Sequence, residues 1–85
     1  MTKTQITLGV REVIAQNSRY TLAEVKTTDP IDKFITSFMK AKLAGQLTRK
    51  FKEVNTTALT NVLFNSVKKI SQLIDHINNI YNPEA

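Results

Sequence analysis

Apolar residues recur at three- and four-residue spacing over long stretches of this chain, and both prolines, Pro30 and Pro83, fall outside those stretches. At 3.6 residues per turn, positions i, i+3, i+4 and i+7 share one side, so each stretch predicts a helix with a single apolar stripe. Only two glycines interrupt the chain. Because neither glycine nor proline suits a helix interior, an all-α fold is expected.

The first helix is expected over Thr4–Gln16, with Ile6, Val10, Val13 and Ile14 inward and Arg11 and Glu12 outward. Residues Asn17 to Lys33 then mix Ser, Thr, Asn and Asp with isolated apolar positions, and Asp29-Pro30 biases the backbone away from helix. This predicts a long first loop with a helical turn near Leu22–Lys26, anchored by Leu22, Val25 and Ile31. A loop of that length in a compact domain is uncommon and usually functional or pinned by its own side chains. A second helix is expected from Thr36 or Ser37 to about Phe51, started by a hydroxyl that accepts from an otherwise unpaired amide. Residues 53–59 read as a connection, and Asn61–Ser66 as a short third helix carrying Val62, Leu63 and Phe64 inward. Val67, Ile70, Leu73, Ile74 and Ile77, with Tyr81 extending the stripe, predict a last helix that Asn82-Pro83 stops.

Size and composition limit what such a chain can do. With 85 residues it holds one domain, since domains take roughly 100–200 residues. Its 41% hydrophobic residues suffice for a core, although a domain this small buries only about 60% of its unfolded surface. The absence of cysteine excludes disulfides and thiolate zinc sites, and a single histidine leaves only carboxylates to complete a metal site. There is no uninterrupted apolar run of about 18 residues and no basic-then-apolar leader. A cytoplasmic, monomeric protein that does not insert into membranes is therefore expected.

The order long helix, long loop, long helix, short helix, long helix resembles the acyl carrier protein family. The resemblance is sharpest at Asp29-Pro30-Ile31-Asp32-Lys33-Phe34-Ile35-Thr36-Ser37-Phe38-Met39, extends through Leu43–Phe51 and Leu63-Phe64 to Ile70, Leu73 and Ile77, and covers most of residues 6–78. In wording it is most similar to carrier domains of modular polyketide synthases that recruit acyltransferases in trans, here as a free-standing copy. The family's loop ends in Gly-x-Asp-Ser-Leu or Gly-x-Asp-Ser-Ile, and Phe34-Ile35-Thr36-Ser37-Phe38 stands in that place, with Phe34 for the glycine and Thr36 for the acidic residue. The resemblance implies a four-helix bundle that is a carrier and not an enzyme. It further implies that Ser37 receives 4'-phosphopantetheine from coenzyme A through a phosphopantetheinyl transferase. The implied partners are acyltransferase, ketosynthase or tailoring enzymes, and the implied cargo is an acyl thioester of polyketide or related biosynthesis. Taken without the family pattern, a serine before a helix more commonly serves as its N-cap.

Lys33, Lys40, Lys42, Arg49, Lys50 and Lys52 fall in a segment with no acidic residue, which predicts a concentrated positive field on the second helix. The resembled family presents an acidic second helix to basic enzymes, so a carrier with this charge implies partners with acidic or apolar docking surfaces. Phe38, Met39, Lys40 and Lys42 are the candidate partner contacts; inward packing of Phe38 or Met39 with solvated lysines is the alternative. The same charge, with a pI near 9.8, also suits a basic helical module that binds nucleic acid, an anionic membrane surface or a protein partner without any prosthetic group. Against nucleic acid, no recognisable recognition helix organises the cations. A small helical immunity or adaptor protein fits the composition but has no motif.

The remaining polar residues carry less. His76 lacks ligand partners at metal-site spacing and reads as a surface or boundary residue. Asp29 and Asp32 suit turn formation better than acid/base work. Gly45, inside the second helix, costs about 1 kcal/mol relative to alanine, which close packing, acyl-chain access or simple tolerance would explain.

Overall fold

The chain forms four α-helices, and each begins where a polar group can serve the free amides of a first turn, with one exception. The computed structural model describes residues 1–83. Helices α1 (Lys3–Gln16), α2 (Ser37–Lys50), α3 (Thr56–Asn65) and α4 (Ile70–Tyr81) make an all-α four-helix bundle; among the described residues the only β pairing is an isolated bridge between Pro30 and Lys69. No helix among them is long and apolar enough to cross a membrane. Helix α1 packs against α2 and α4, and α2 against α3.

Helical periodicity chose the inward faces. Ile6, Val10, Val13 and Ile14 of α1 meet Leu43, Ala44 and Leu47 of α2 and Ile70, Leu73, Ile74 and Ile77 of α4 in one continuous core. Fully burying each of the Val, Leu and Ile side chains contributes about 1.5–3 kcal/mol. Gly9 lets α1 approach the end of α2: a Cβ there would lie 2.7 Å from Cζ of the buried Phe51 ring. Gly45, by contrast, has open space around it, so close packing within the chain does not explain it.

Helix α3 departs from expectation. It starts at Thr56, five residues before the predicted Asn61, because the Asn55 side chain accepts from the Ala58 amide and caps the first turn. The earlier start is accompanied by an inward face at Leu59 and Leu63, one turn apart, with Val62 half-buried at its edge. Phe64 falls about 100° from Leu63 and is 49% exposed rather than inward.

The first loop, residues 17–36, contains two short 3₁₀ turns, Leu22–Glu24 and Ile31–Lys33. Val25 and Ile31 anchor it in the core as expected, but Leu22 points to solvent; Phe34 and Ile35 are buried in addition. Polar contacts hold the rest. Arg11, expected to face outward, donates from Nε to the Val25 carbonyl (2.8 Å) and from Nη2 to the Leu22 carbonyl (2.9 Å). The carbonyls of Asp29 and Thr27 accept from the Ile70 (3.0 Å) and Ser71 (2.8 Å) amides, and the Ile31 amide donates to the Lys68 carbonyl (2.8 Å). The loop thereby supplies the acceptors that the start of α4 lacks.

Candidate functional site

Local chemistry at the start of α2 differs from that at every other helix start. Thr2 and Gln5 make a reciprocal capping box on α1, Asn55 caps α3, and Gln72 reaches back to the Lys68 and Lys69 amides before α4. The 3₁₀ turn after Thr21 has the same device, with Glu24 accepting from the Thr21 amide. In all four of these cases the helper is a Gln or Glu three residues past the cap, or an Asn at the cap itself; three residues past Thr36 stands Met39, which packs toward the core. The Thr36 backbone (φ −74°, ψ 165°) matches that of Thr21 (φ −79°, ψ 165°), and neither hydroxyl caps its turn, but only the Thr21 amide has a side-chain acceptor, Glu24.

Ser37 is the first residue of α2 and is exposed. Its hydroxyl has no hydrogen-bond partner among the described residues, so the expected N-cap role falls to neither Thr36 nor Ser37. The amides of Ser37 and Phe38 are likewise without an acceptor among the described residues, and the first turn holds no acidic side chain. A helix start in that condition presents N–H donors and the positive end of the macrodipole to solvent.

Phe34 needs none of glycine's conformational freedom. Its φ is −109° with ψ −34°, and no described residue has positive φ. The side chain is instead buried and meets Tyr20 edge-on at 4.8 Å between centroids, with Lys33 Nζ over both rings. An aromatic here fixes the loop to the core three residues before Ser37.

The basic segment does not present one continuous positive field. Lys33 pairs with Asp29 (3.4 Å), Lys40 with Asp32 (3.1 Å) and Lys50 with Glu12 (3.4 Å), leaving Lys42, Arg49 and Lys52 without an acidic partner among the described residues. Lys40 lies away from the open surface: it is only 9% exposed, and its ammonium sits between the Asp32 carboxylate and the face of the Phe64 ring, 5.5 Å from the centroid. Loop, α2 and α3 meet there, a contact for which the chain offers no local spacing signal. Met39 is half-buried against the core, Lys42 is exposed, and Phe38 is 97% exposed.

Asp29 and Asp32 engage different lysines and form no paired carboxylate site. His76 is half-buried, and among the described residues no group of three or more His, Cys, Asp or Glu is arranged to hold a metal ion. No protein-family model, curated protein or solved structure matches the chain.

Proposed function

We propose that this protein is a free-standing acyl carrier whose Ser37 is the tether for a 4'-phosphopantetheine arm. The observation that carries the reading is the exposed Ser37 hydroxyl, unbonded among the described residues, on a helix start whose first amides have no side-chain acceptor there. A phosphodiester fits the residues present. The oxygen is accessible, the first turn holds no carboxylate to repel an anion, and the open amides of Ser37 and Phe38 lie at the positive end of α2. Such placement of negative charge stabilises by about 0.3–1 kcal/mol at a surface.

In the loading step Ser37 Oγ attacks the phosphorus on the pantetheine side of the coenzyme A pyrophosphate. The Oγ–P bond forms as the P–O bond to the nucleotide breaks, 3',5'-ADP leaves, and the hydroxyl proton passes to a base of the transferase. Metal and acid/base groups for phosphoryl transfer belong to that enzyme, so Ser37 requires exposure more than activation. Once attached, the arm supplies the thiol that a cysteine-free chain lacks and holds an acyl group as a thioester. The chain's own contribution is positional: Phe34 and Ile35 in the core and the loop's bonds to α4 hold residue 37 at the rim of the bundle.

Incubation with coenzyme A and a broad-specificity phosphopantetheinyl transferase, followed by intact-mass measurement, tests the reading. The expected result is a mass gain equal to one phosphopantetheine that Ser37→Ala abolishes. No gain with several transferases, including one from the same cell, overturns it. Salt-sensitive binding to nucleic acid without any mass gain assigns the basic binding module instead.

A further inference from the structure

We infer that the outward face of α2 docks an acidic, amphipathic helix of a partner protein, with Phe38 as its apolar anchor. Phe38, Ala41, Lys42, Gly45 and Arg49 follow one another at i, i+3, i+4, i+7 and i+11, which places them within an arc of about 100° on the helix. This is the side opposite Leu43, Ala44 and Leu47, which pack into the core. Phe38 is 97% exposed, far more than any other large apolar side chain described. A bare aromatic ring contributes nothing to the fold and has the residue type most often found at the centre of an interface.

Charge selects the occupant. Helix α2 contains no acidic residue, and of its four cations Lys40 and Lys50 are matched within the chain while Lys42 and Arg49, both on the outward face, are unmatched among the described residues. Carboxylates on a partner would complete both pairs and steer the encounter. The small residues Ala41 and Gly45 lie one and two turns beyond Phe38, and a Cβ on Gly45 would meet nothing within 4 Å. That leaves a shallow step along the i, i+4 row where the ridge of a second helix can seat. It also accounts for a mid-helix glycine that relieves no crowding within the fold. The other anionic occupants fit less well. An interfacial membrane helix needs a broad apolar face, and here the single ring is followed only by Ala and Gly. A nucleic-acid surface needs several phosphate contacts or stacked aromatics, against two cations and one ring.

The inference is independent of what Ser37 carries, so it is tested on the wild-type chain and on Ser37→Ala. The probe is a stapled amphipathic helix with a Leu/Ala stripe and an all-Glu polar face, compared with the same helix carrying Lys in place of Glu. Amide chemical shifts of the labelled protein are followed by NMR. The acidic helix is expected to shift the amides of residues 38–49 in both chains, and the basic helix to leave them in place. Phe38→Ala and the pair Lys42→Glu with Arg49→Glu are each expected to weaken binding about tenfold or more, with unchanged thermal unfolding because none of the three side chains is in the core. Equal response to the two helices, shifts centred on another face, or tighter binding to phosphatidylserine vesicles or duplex DNA than to the acidic helix overturns the inference.

Discussion

Helix α2 ends on a buried phenylalanine and begins beside an exposed one. At the far end, Phe51 is fully buried against Gly9, its ring meets Tyr81 edge-on at 6.2 Å between centroids, and the Tyr81 hydroxyl accepts from the Glu53 amide. At the near end, Phe38 stands in solvent, Thr36 caps nothing and the Ser37 hydroxyl is free. The same residue type therefore serves stability at one end and lies open to another molecule at the other. Burial, and not composition, separates the two roles, and the helix joins a closed end that fixes it to an open end that it presents.

Substitutions at the two ends break or sharpen this contrast. The largest effect is expected from Phe51→Ala, which leaves a cavity in the core and costs about 3–5 kcal/mol of unfolding free energy in urea titration. Phe38→Ala, by the same measurement, is expected to stay within about 0.5 kcal/mol of wild type. A comparable cost for the two removals would erase the distinction between the ends.

The two glycines give the next largest contrast. Gly9→Ala drives a methyl group into the Phe51 ring, and the overpacking is expected to cost about 1–3 kcal/mol despite alanine's better helix propensity. Gly45→Ala adds its methyl to open space and is expected to raise stability by up to about 1 kcal/mol. Thermal melts of both variants check the opposite signs.

A capping residue placed at the open end sharpens the comparison further. Thr36→Asp supplies the missing acceptor and is expected to add about 0.5–2 kcal/mol of stability. On the carrier reading it also supplies the acidic residue that the resembled family has before its serine, so modification by a general transferase is expected to speed up. Unchanged loading kinetics with raised stability would limit the substitution to capping.

The smallest expected effect is at Glu24. The Thr21 amide, and secondly the Thr21 hydroxyl, donate to its carboxylate and hold its pKa below the ordinary value. A folded-state value lower than the unfolded one stabilises the fold above the ordinary glutamate range, and the contribution is lost as pH falls through the lowered value. Denaturation midpoints of wild type and Glu24→Gln should therefore differ slightly at neutral pH and converge in acid.

Much of this architecture was legible in residue spacing. The stripes over Ile6–Ile14 and Ile70–Ile77 predicted α1 and α4 because every member packs into the same core. The start of α2 was also legible within a residue. Helix α3 was not, since Asn and Thr around position 56 favour turns as strongly as helix starts, and only the Asn55 cap decides between them. The candidate serine was visible from its motif; Met39, standing where α1, α4 and the Thr21 turn have Gln or Glu, leaves the Thr36 amide without the side-chain acceptor those starts have. The division of the cations into matched and unmatched was beyond local reading. Lys50 finds Glu12 across 38 positions, and Lys40 is turned inward by a carboxylate from the preceding loop and a ring from the following helix.

The bonds from residues 27–31 to the beginning of α4 set an order of events during synthesis. A ribosome that has released only the first 65 residues has delivered Ser37 and the whole of α2 and α3, but neither the Ile70 and Ser71 amides nor the Lys68 carbonyl that fasten the segment ahead of it. Until α4 emerges and docks, the segment ahead of Ser37 lacks those three bonds, so on the carrier reading a nascent chain is expected to be loaded more slowly than the finished one.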